Sequence, residues 1–294
     1  MTLGIFFLLL TGLCWVCIGA VVSHAAEKNL NLNYILGASS LIVGSVAAVL
    51  CLGQQTPDCG ILEKWSVILP VFLAGSMNCV MLLWMKTGMR LGHAGAVWGI
   101  VQSSLMCPFI MGVGVFDVQP TAPRICGLVL ILCGIALFSR TKPQNSFSGY
   151  RWLLPTLGAF AASGAAQCMA NLPSYFQTLP LSSSARCMLV QFGTVGAFCV
   201  FQKISGEKME TKGTLLPVLL LSATQLFTLC CFFYNGLNRV AEAGAGSIGY
   251  PVAQGSCIVF FMLYETFFMH KKTPFPAWGA VFFLCCGIVC LAID

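Results

Sequence analysis

The sequence predicts an all-α membrane protein whose ten transmembrane helices form two inverted five-helix repeats. Of the 294 residues, 58% are hydrophobic and only 8% are charged, whereas a soluble domain carries about 25% charged residues. Ten apolar segments are each long enough to cross a bilayer, which requires about 20 residues. Similar residues also recur at one spacing in the two halves of the chain, which indicates a duplicated unit.

The ten predicted spans are separated by short breaks that are polar or rich in Pro and Gly. Helices are the expected form, because the bilayer offers no water to pair with backbone N–H and C=O groups. The first apolar run is interpreted as a true helix and not as a cleaved signal peptide, since no Lys or Arg precedes it. The predicted spans are 3–23, 33–53, 66–86, 94–115, 122–139, 152–171, 185–203, 214–234, 243–268 and 276–292.

The duplication is visible as a constant offset of 152 residues between matching positions. Each half contains five spans, an odd number, so two copies in series must cross the membrane in opposite senses. We therefore predict a first repeat at 1–140, a connecting loop at 141–151 and a second repeat at 152–294. The matching pairs are Gly12 and Gly164, Gln102 and Gln254, Ser104 and Ser256, Phe109 and Phe261, Gly127 and Gly279, and Cys133 and Cys285.

The loops predict how the chain is oriented, because cytoplasmic loops are enriched in Lys and Arg. Eleven of these residues fall in the loops of one side and four in those of the other. We expect the richer side to be cytoplasmic, which places both termini on the outer (periplasmic) side of a cell (inner) membrane. Near helix ends, Arg90, His93, Arg186 and Arg239 are interpreted as interfacial anchors.

Composition and motifs also predict what the protein does not bind. The net charge of +6 is scattered over short loops and builds no continuous basic patch, so nucleic acid is not an expected partner. Most of the 17 cysteines lie inside apolar runs, where packing is the simplest interpretation, and no Cys/His cluster has zinc spacing. Catalytic and phosphate-binding motifs are absent from the sequence. We therefore expect no metal, no cofactor and no enzymatic activity.

Aromatic and amide side chains recur on one face of the fourth span of each half. Trp98 lies one helical turn before Gln102 in the first half, and Tyr250 lies one turn before Gln254 in the second. An amide in the membrane is costly without partners, so both glutamines are expected to point inward. Amides suit a hydroxyl-rich ligand, and flat rings suit the apolar face of a sugar. The alternative is that the two glutamines pair across a helix interface and the rings only pack.

Further polar residues fall in the middle of other spans. Asn78 in the third span and Gln225 in the eighth occupy corresponding places after Leu-Pro-Val runs, and Gln167 lies in the sixth. Each alone is typical of an interhelical hydrogen bond, but together they predict a polar cavity. The candidate substrate-binding residues are Trp98, Gln102, Tyr250, Gln254, Asn78, Gln225 and Gln167.

Glu265 is the candidate residue for proton coupling. It follows Tyr250, Gln254 and Phe261 on the same face of the ninth span, and carboxylates within membranes often serve as proton relays. The alternative is an interfacial carboxylate that is solvated from the cytoplasm or paired with a loop residue such as Lys271.

Several stretches resemble the drug/metabolite transporter superfamily, and within it the L-rhamnose–proton symporter branch. Many exporters of that superfamily carry a glutamate just before the closing helix of each half, where this sequence has Gln119 and Lys271. The closing helices are Gly127 to Gly134 and Gly279 to Gly287, and the stretches similar to the symporter branch are Leu3-Gly4-Ile5-Phe6, Leu69-Pro70-Val71-Phe72-Leu73, Gly88-Met89-Arg90, Phe116-Asp117-Val118 and Phe232-Phe233-Tyr234.

The resemblance implies a secondary active transporter that works by alternating access. We expect proton-coupled uptake of a small neutral, rhamnose-like sugar. Export of amino acids or other small metabolites is the alternative within the superfamily, and a transport-inactive scaffold or sensor is the alternative outside it. The expected partners are the small-molecule substrate, protons and the lipid bilayer, and a homodimer through the outer helix faces stays open.

Overall fold

The computed structural model describes residues 1–28, 30–52, 61–91, 94–140, 151–176, 181–206, 211–270 and 275–293. The described chain is helical and contains no strand. Ten helical segments are long and apolar enough to cross a membrane, which confirms the prediction of an all-α membrane protein with ten spans. Of the predicted connecting loop at 141–151, only Arg151 is among the described residues.

The first five spans comprise six α-helices, because the fourth span is divided. A 3₁₀ turn at Ser103–Leu105 interrupts it. Pro108 has no N–H to donate to the carbonyl of Ser104, four residues earlier, so a regular α-helical ladder cannot continue through this point. The break therefore falls where the proline predicts a kink. The helices are α1 (Thr2–Glu27), α2 (Leu32–Cys51), α3 (Ile61–Leu91), α4 (Ala94–Gln102), α5 (Met106–Val115) and α6 (Ala122–Arg140).

The last five spans also comprise six α-helices, because the eighth span widens into a π-helical segment at Thr228–Phe233. The wider π-helical turn changes the pattern of backbone hydrogen bonds. The Asn235 side chain donates to the carbonyls of Cys230 and Cys231 at 3.1 and 3.0 Å. Such segments are frequent at functional sites. The helices are α7 (Leu153–Asn171), α8 (Ser183–Ser205), α9 (Leu215–Phe227), α10 (Tyr234–Glu242), α11 (Gly249–Phe267) and α12 (Phe275–Ala292).

Close packing between helices of the two halves holds the bundle together. At the crossing of α3 and α8, a Cβ atom on Gly75 would overlap the backbone of Val190. Ser76 Oγ donates to the Gly193 carbonyl and Thr194 Oγ1 donates to the Gly75 carbonyl, each at 3.1 Å. Small residues allow this approach, and polar side chains supply hydrogen bonds that lipid cannot.

The outside of the bundle is covered with large apolar side chains, as a lipid-facing surface requires. Leu154 and Ile204 are each 80% exposed, and Phe275 is 87% exposed. Because ten is an even number of spans, the chain begins and ends on the same face of the bundle. This face is called the terminal face below, and the other is called the opposite face.

Candidate solute-binding cavity

A cavity of about 430 Å³ lies in the centre of the bundle and is lined by residues of both halves. This volume is within the range of about 300–1,000 Å³ typical of small-molecule sites. All seven candidate substrate-binding residues line this cavity, although their role in binding stays a prediction. They are Asn78, Trp98, Gln102, Gln167, Gln225, Tyr250 and Gln254.

Three of these glutamines have unused hydrogen-bonding capacity. The amide oxygens of Gln167, Gln225 and Gln254 are buried and have no hydrogen-bond partner among the described residues. Because the Gln254 oxygen has no partner, the alternative in which Gln102 donates to it does not hold in this structure. Three helical elements, α7, α9 and α11, thus bring unsatisfied acceptors to one cavity.

The nitrogen of the Gln167 amide is held in place by hydrogen bonds to two serines. Gln167 Nε2 donates to Ser104 Oγ at 2.9 Å and to Ser163 Oγ at 3.0 Å. Ser104 Oγ in turn donates to Ser163 Oγ at 2.7 Å. These bonds join α7 to the 3₁₀ turn of the fourth span and set the orientation of the amide, which is why its oxygen is the group left unsatisfied.

Aromatic rings form much of the remaining wall, and the sequence interpretation found only part of them. Trp98 lies against Phe138 with ring centroids 5.4 Å apart, and Tyr250 lies edge-on to Phe233 at 5.2 Å. Trp15, Phe233 and Tyr234 also line the cavity but were not predicted. For Phe233 and Tyr234, the one feature of the sequence that could have predicted a place in the cavity wall is their position between the polar residues Thr228 and Asn235 of the eighth span.

Glu265, the predicted proton carrier, is on α11, eleven residues beyond Gln254. At 1.5 Å per residue its backbone is about 16 Å further along the helix axis. The Glu265 side chain lies outside the described part of the structure, and the described residues that line the cavity include no Asp or Glu. Proton coupling through Glu265 therefore stays a prediction.

Arg186 is fully buried, so its interpretation as an interfacial anchor was wrong. Its Nη1 donates to Ser174 Oγ at 2.9 Å and to Asn238 Oδ1 at 2.6 Å. Its Nη2 donates to the Ala170 carbonyl, and the guanidinium lies over the Tyr234 ring, 4.5 Å from the centroid. The charge is buried because two neighbouring spans, the sixth and the eighth, supply neutral acceptors that the local sequence around position 186 does not reveal.

Contacts between helix ends close the cavity on the terminal side. The rings of Phe116 and Tyr175 stack with centroids 4.1 Å apart, and burial raises the pKa of the Tyr175 phenol, which therefore stays protonated at physiological pH. Arg124 Nη1 donates to the Gly244 carbonyl at 3.3 Å. On the opposite side the lining extends to Met85, six residues before the end of α3.

A second hollow of about 510 Å³ lies on the terminal face, beyond these contacts. Asp117, Arg124, Ser174 and Tyr175 are among its lining residues. Ser174 also accepts a hydrogen bond from Arg186, so the layer between this terminal-face hollow and the central cavity contains a buried guanidinium.

Ten apolar helices around a central cavity fit a membrane transporter. No protein-family model matches the chain, and no curated protein matches it in sequence. The fold is similar to that of a protein of known crystal structure, with a TM-score of 0.66 over 99% of this chain and 96% of that chain, at 12% sequence identity. At this identity the similarity shows the fold alone.

Proposed function

We propose that this protein is a secondary active transporter that carries a small hydroxyl-rich solute by alternating access. The observation that carries the proposal is the set of unsatisfied amide oxygens of Gln167, Gln225 and Gln254 around one cavity. A buried acceptor without a hydrogen bond costs about 1–3 kcal/mol. A solute that donates hydroxyl groups to these oxygens would offset that cost, and a purely apolar solute would not.

A sugar is the solute class that fits the lining best. Hydroxyl groups can pair with the glutamine amides, while the C–H face of a sugar ring can lie on the rings of Trp15, Trp98 or Tyr250. A small neutral sugar of the rhamnose type, taken up together with protons, is the first candidate. With it we propose membership of the drug/metabolite transporter superfamily, closest to the L-rhamnose–proton symporter branch, on the sequence stretches quoted above.

The packing of corresponding helices supports two inverted repeats. The second and seventh spans, α2 and α8, pack extensively on each other, and so do the fifth and tenth, α6 and α12. Gln102 and Gln254, which are related by the sequence offset, line the same cavity. Rocking of one half against the other around this cavity is the proposed route to alternating access.

The burial of two arginines supports the proposed orientation in a cell membrane. Four basic residues were assigned to the terminal face, and two of them, Arg124 and Arg186, are buried inside the bundle. The excess of loop Lys and Arg on the opposite face is therefore larger than the sequence count indicates. We propose that the opposite face is cytoplasmic and that both termini lie outside.

Counterflow in proteoliposomes with a panel of sugars and amino acids tests the proposal. Vesicles loaded with the transported solute should accumulate its labelled form transiently, and a sugar should give the strongest signal. The second candidate is export of amino acids or other small metabolites. The buried Arg186 favours those that carry a carboxylate, and such export would appear as counterflow of those solutes. A scaffold or sensor without transport would give no counterflow with any member of the panel.

A further inference from the structure

We propose that the transported solute carries a carboxylate group and that Arg186 recognises it at the closed end of the central cavity. The substrate class is then a small sugar acid. This inference rests on the proposed transport of a sugar-like solute, and it replaces the expected neutrality of that solute with one negative charge.

The position of Arg186 places its charge at the end of the cavity. Val190, Thr194 and Phe198 follow it on α8 at intervals of four residues and line the cavity. Residues four apart share one face of an α-helix. Arg186 therefore continues the cavity-lining face of α8 by one turn toward the terminal face.

The partners of the guanidinium place it against the same cavity wall. Ala170 and Tyr234 line the cavity; the Ala170 carbonyl accepts a hydrogen bond from Arg186 Nη2, and the Tyr234 ring lies under the guanidinium. A carboxylate that enters the closed end of the cavity would reach this group by displacing the Tyr234 ring.

The charge of Arg186 has no counter-ion among the described residues. Its contacts are two neutral side chains, those of Ser174 and Asn238, together with a backbone carbonyl and the face of a tyrosine ring. Its Nε–H is buried without any acceptor in the described chain. A buried charge without a partner of opposite sign is strongly unfavourable, and an ionisable residue kept within a membrane bundle indicates a functional role.

Glu265 is too distant to supply that counter-ion. Tyr250 lies edge-on to Phe233, beside Tyr234, and so marks the level of the guanidinium on α11. Glu265 follows fifteen residues later on the same helix, about 22 Å along its axis. No acidic side chain among the described residues balances Arg186, and a solute carboxylate can provide that charge.

The path from the terminal face to the cavity passes two buried arginines and one carboxylate, that of Asp117. Arg124, 7% exposed, lines the terminal-face hollow. Ser174 lines the same hollow and bonds to Arg186. A solute that moves between the hollow and the cavity would pass both arginines, which outnumber the single carboxylate of Asp117. A net positive potential in a low-dielectric passage attracts anions and repels cations.

The test uses three matched pairs of probes on the purified full-length protein: glucose and glucuronate, galactose and galacturonate, and mannose and mannuronate. The members of a pair differ only in a hydroxymethyl or a carboxylate group at C6. We expect at least one uronate to bind about tenfold or more tighter than its hexose, because an opposite charge then pairs with a buried one. Affinity is measured by calorimetry at neutral pH, and transport by counterflow.

Two variants and one control assign the preference to Arg186. Arg186→Met should reduce the uronate-to-hexose affinity ratio to about one, and Arg186→Lys should keep part of it, because each variant changes the charge or its geometry at that site. Arg239→Gln removes a positive charge from an exposed residue of α10 and should leave the ratio unchanged. A ratio that survives in Arg186→Met would overturn the proposal.

The wild-type measurements decide the matter even if Arg186→Met does not fold. Hexoses that bind as tightly as their uronates, or more tightly, in all three pairs would disprove the inference about charge. Counterflow of a hexose in that case would leave the proposed transport function standing. No binding and no counterflow with any of the six probes would contradict this inference, and counterflow with the wider panel of sugars and amino acids would then decide the proposed transport function on its own.

Discussion

Phe116 and Tyr175 stack face to face between the fourth and sixth spans, with ring centroids 4.1 Å apart and an angle of 4° between the ring planes. Phe116 follows α5 in the first half and Tyr175 lies just beyond α7 in the second. Alternating access requires this contact to open when solute enters from the terminal face. Disrupting this stack is therefore the most direct test of the proposed conformational cycle.

Replacing Phe116 by Ala should favour opening on the terminal side. An aromatic pair contributes about 0.5–1.5 kcal/mol beyond its buried area, which corresponds to an increase of about two- to twelvefold in the open population. Hydrogen–deuterium exchange should become faster in peptides that cover residues 112–118 and 171–176. Phe6→Ala removes a ring that is 53% exposed and should leave exchange in those peptides unchanged; equal effects of the two changes would argue against the stack as a gate.

Two glutamines should respond differently to truncation. Gln254→Ala removes an amide whose oxygen has no partner in the described structure, so it should weaken solute binding about tenfold without lowering thermal stability. Gln167→Ala also breaks hydrogen bonds to Ser104 and Ser163, so it should lower both the affinity for the solute and the melting temperature. Calorimetric affinities and melting temperatures measure the two effects. Unchanged affinity in Gln254→Ala would remove this residue from the site.

The crossing of α3 and α8 should not tolerate a larger residue. Gly75→Ala places a Cβ on the backbone of Val190, and forcing extra volume into a packed core costs about 1–3 kcal/mol or more. We expect a lower melting temperature and a smaller yield of folded protein. The matched control is Gly196→Ala, also on a packed helix, where an added Cβ would meet nothing within 4 Å and stability should stay the same or rise.

Glu265→Gln tests proton coupling separately from binding. If Glu265 carries the proton, the variant should lose accumulation driven by a proton gradient and keep counterflow, which needs no net proton movement. Glu242→Gln, at an exposed position on α10, is the control and should keep both. Intact proton-driven accumulation in Glu265→Gln would withdraw the assignment. Uptake and counterflow in the same proteoliposome preparation give the comparison.

The ten helices and the inward direction of Gln102 and Gln254 could be predicted from local sequence alone. A span must satisfy its own backbone hydrogen bonds and match the bilayer thickness, so its length and composition identify it. An amide avoids lipid, so its presence in a span predicts that it points inward. Both inferences depend on the solvent around the helix and not on which helices are its neighbours.

The burial of Arg186 was decided only by tertiary structure. Its position near the start of α8, beside Ser182 and Ser184, is also typical of a residue at a membrane interface. The groups that solvate it are the Ala170 carbonyl and the side chain of Asn238, 16 and 52 residues away along the chain. Periodicity and composition cannot predict such distant contacts, because these contacts form only when α7, α8 and α10 pack side by side.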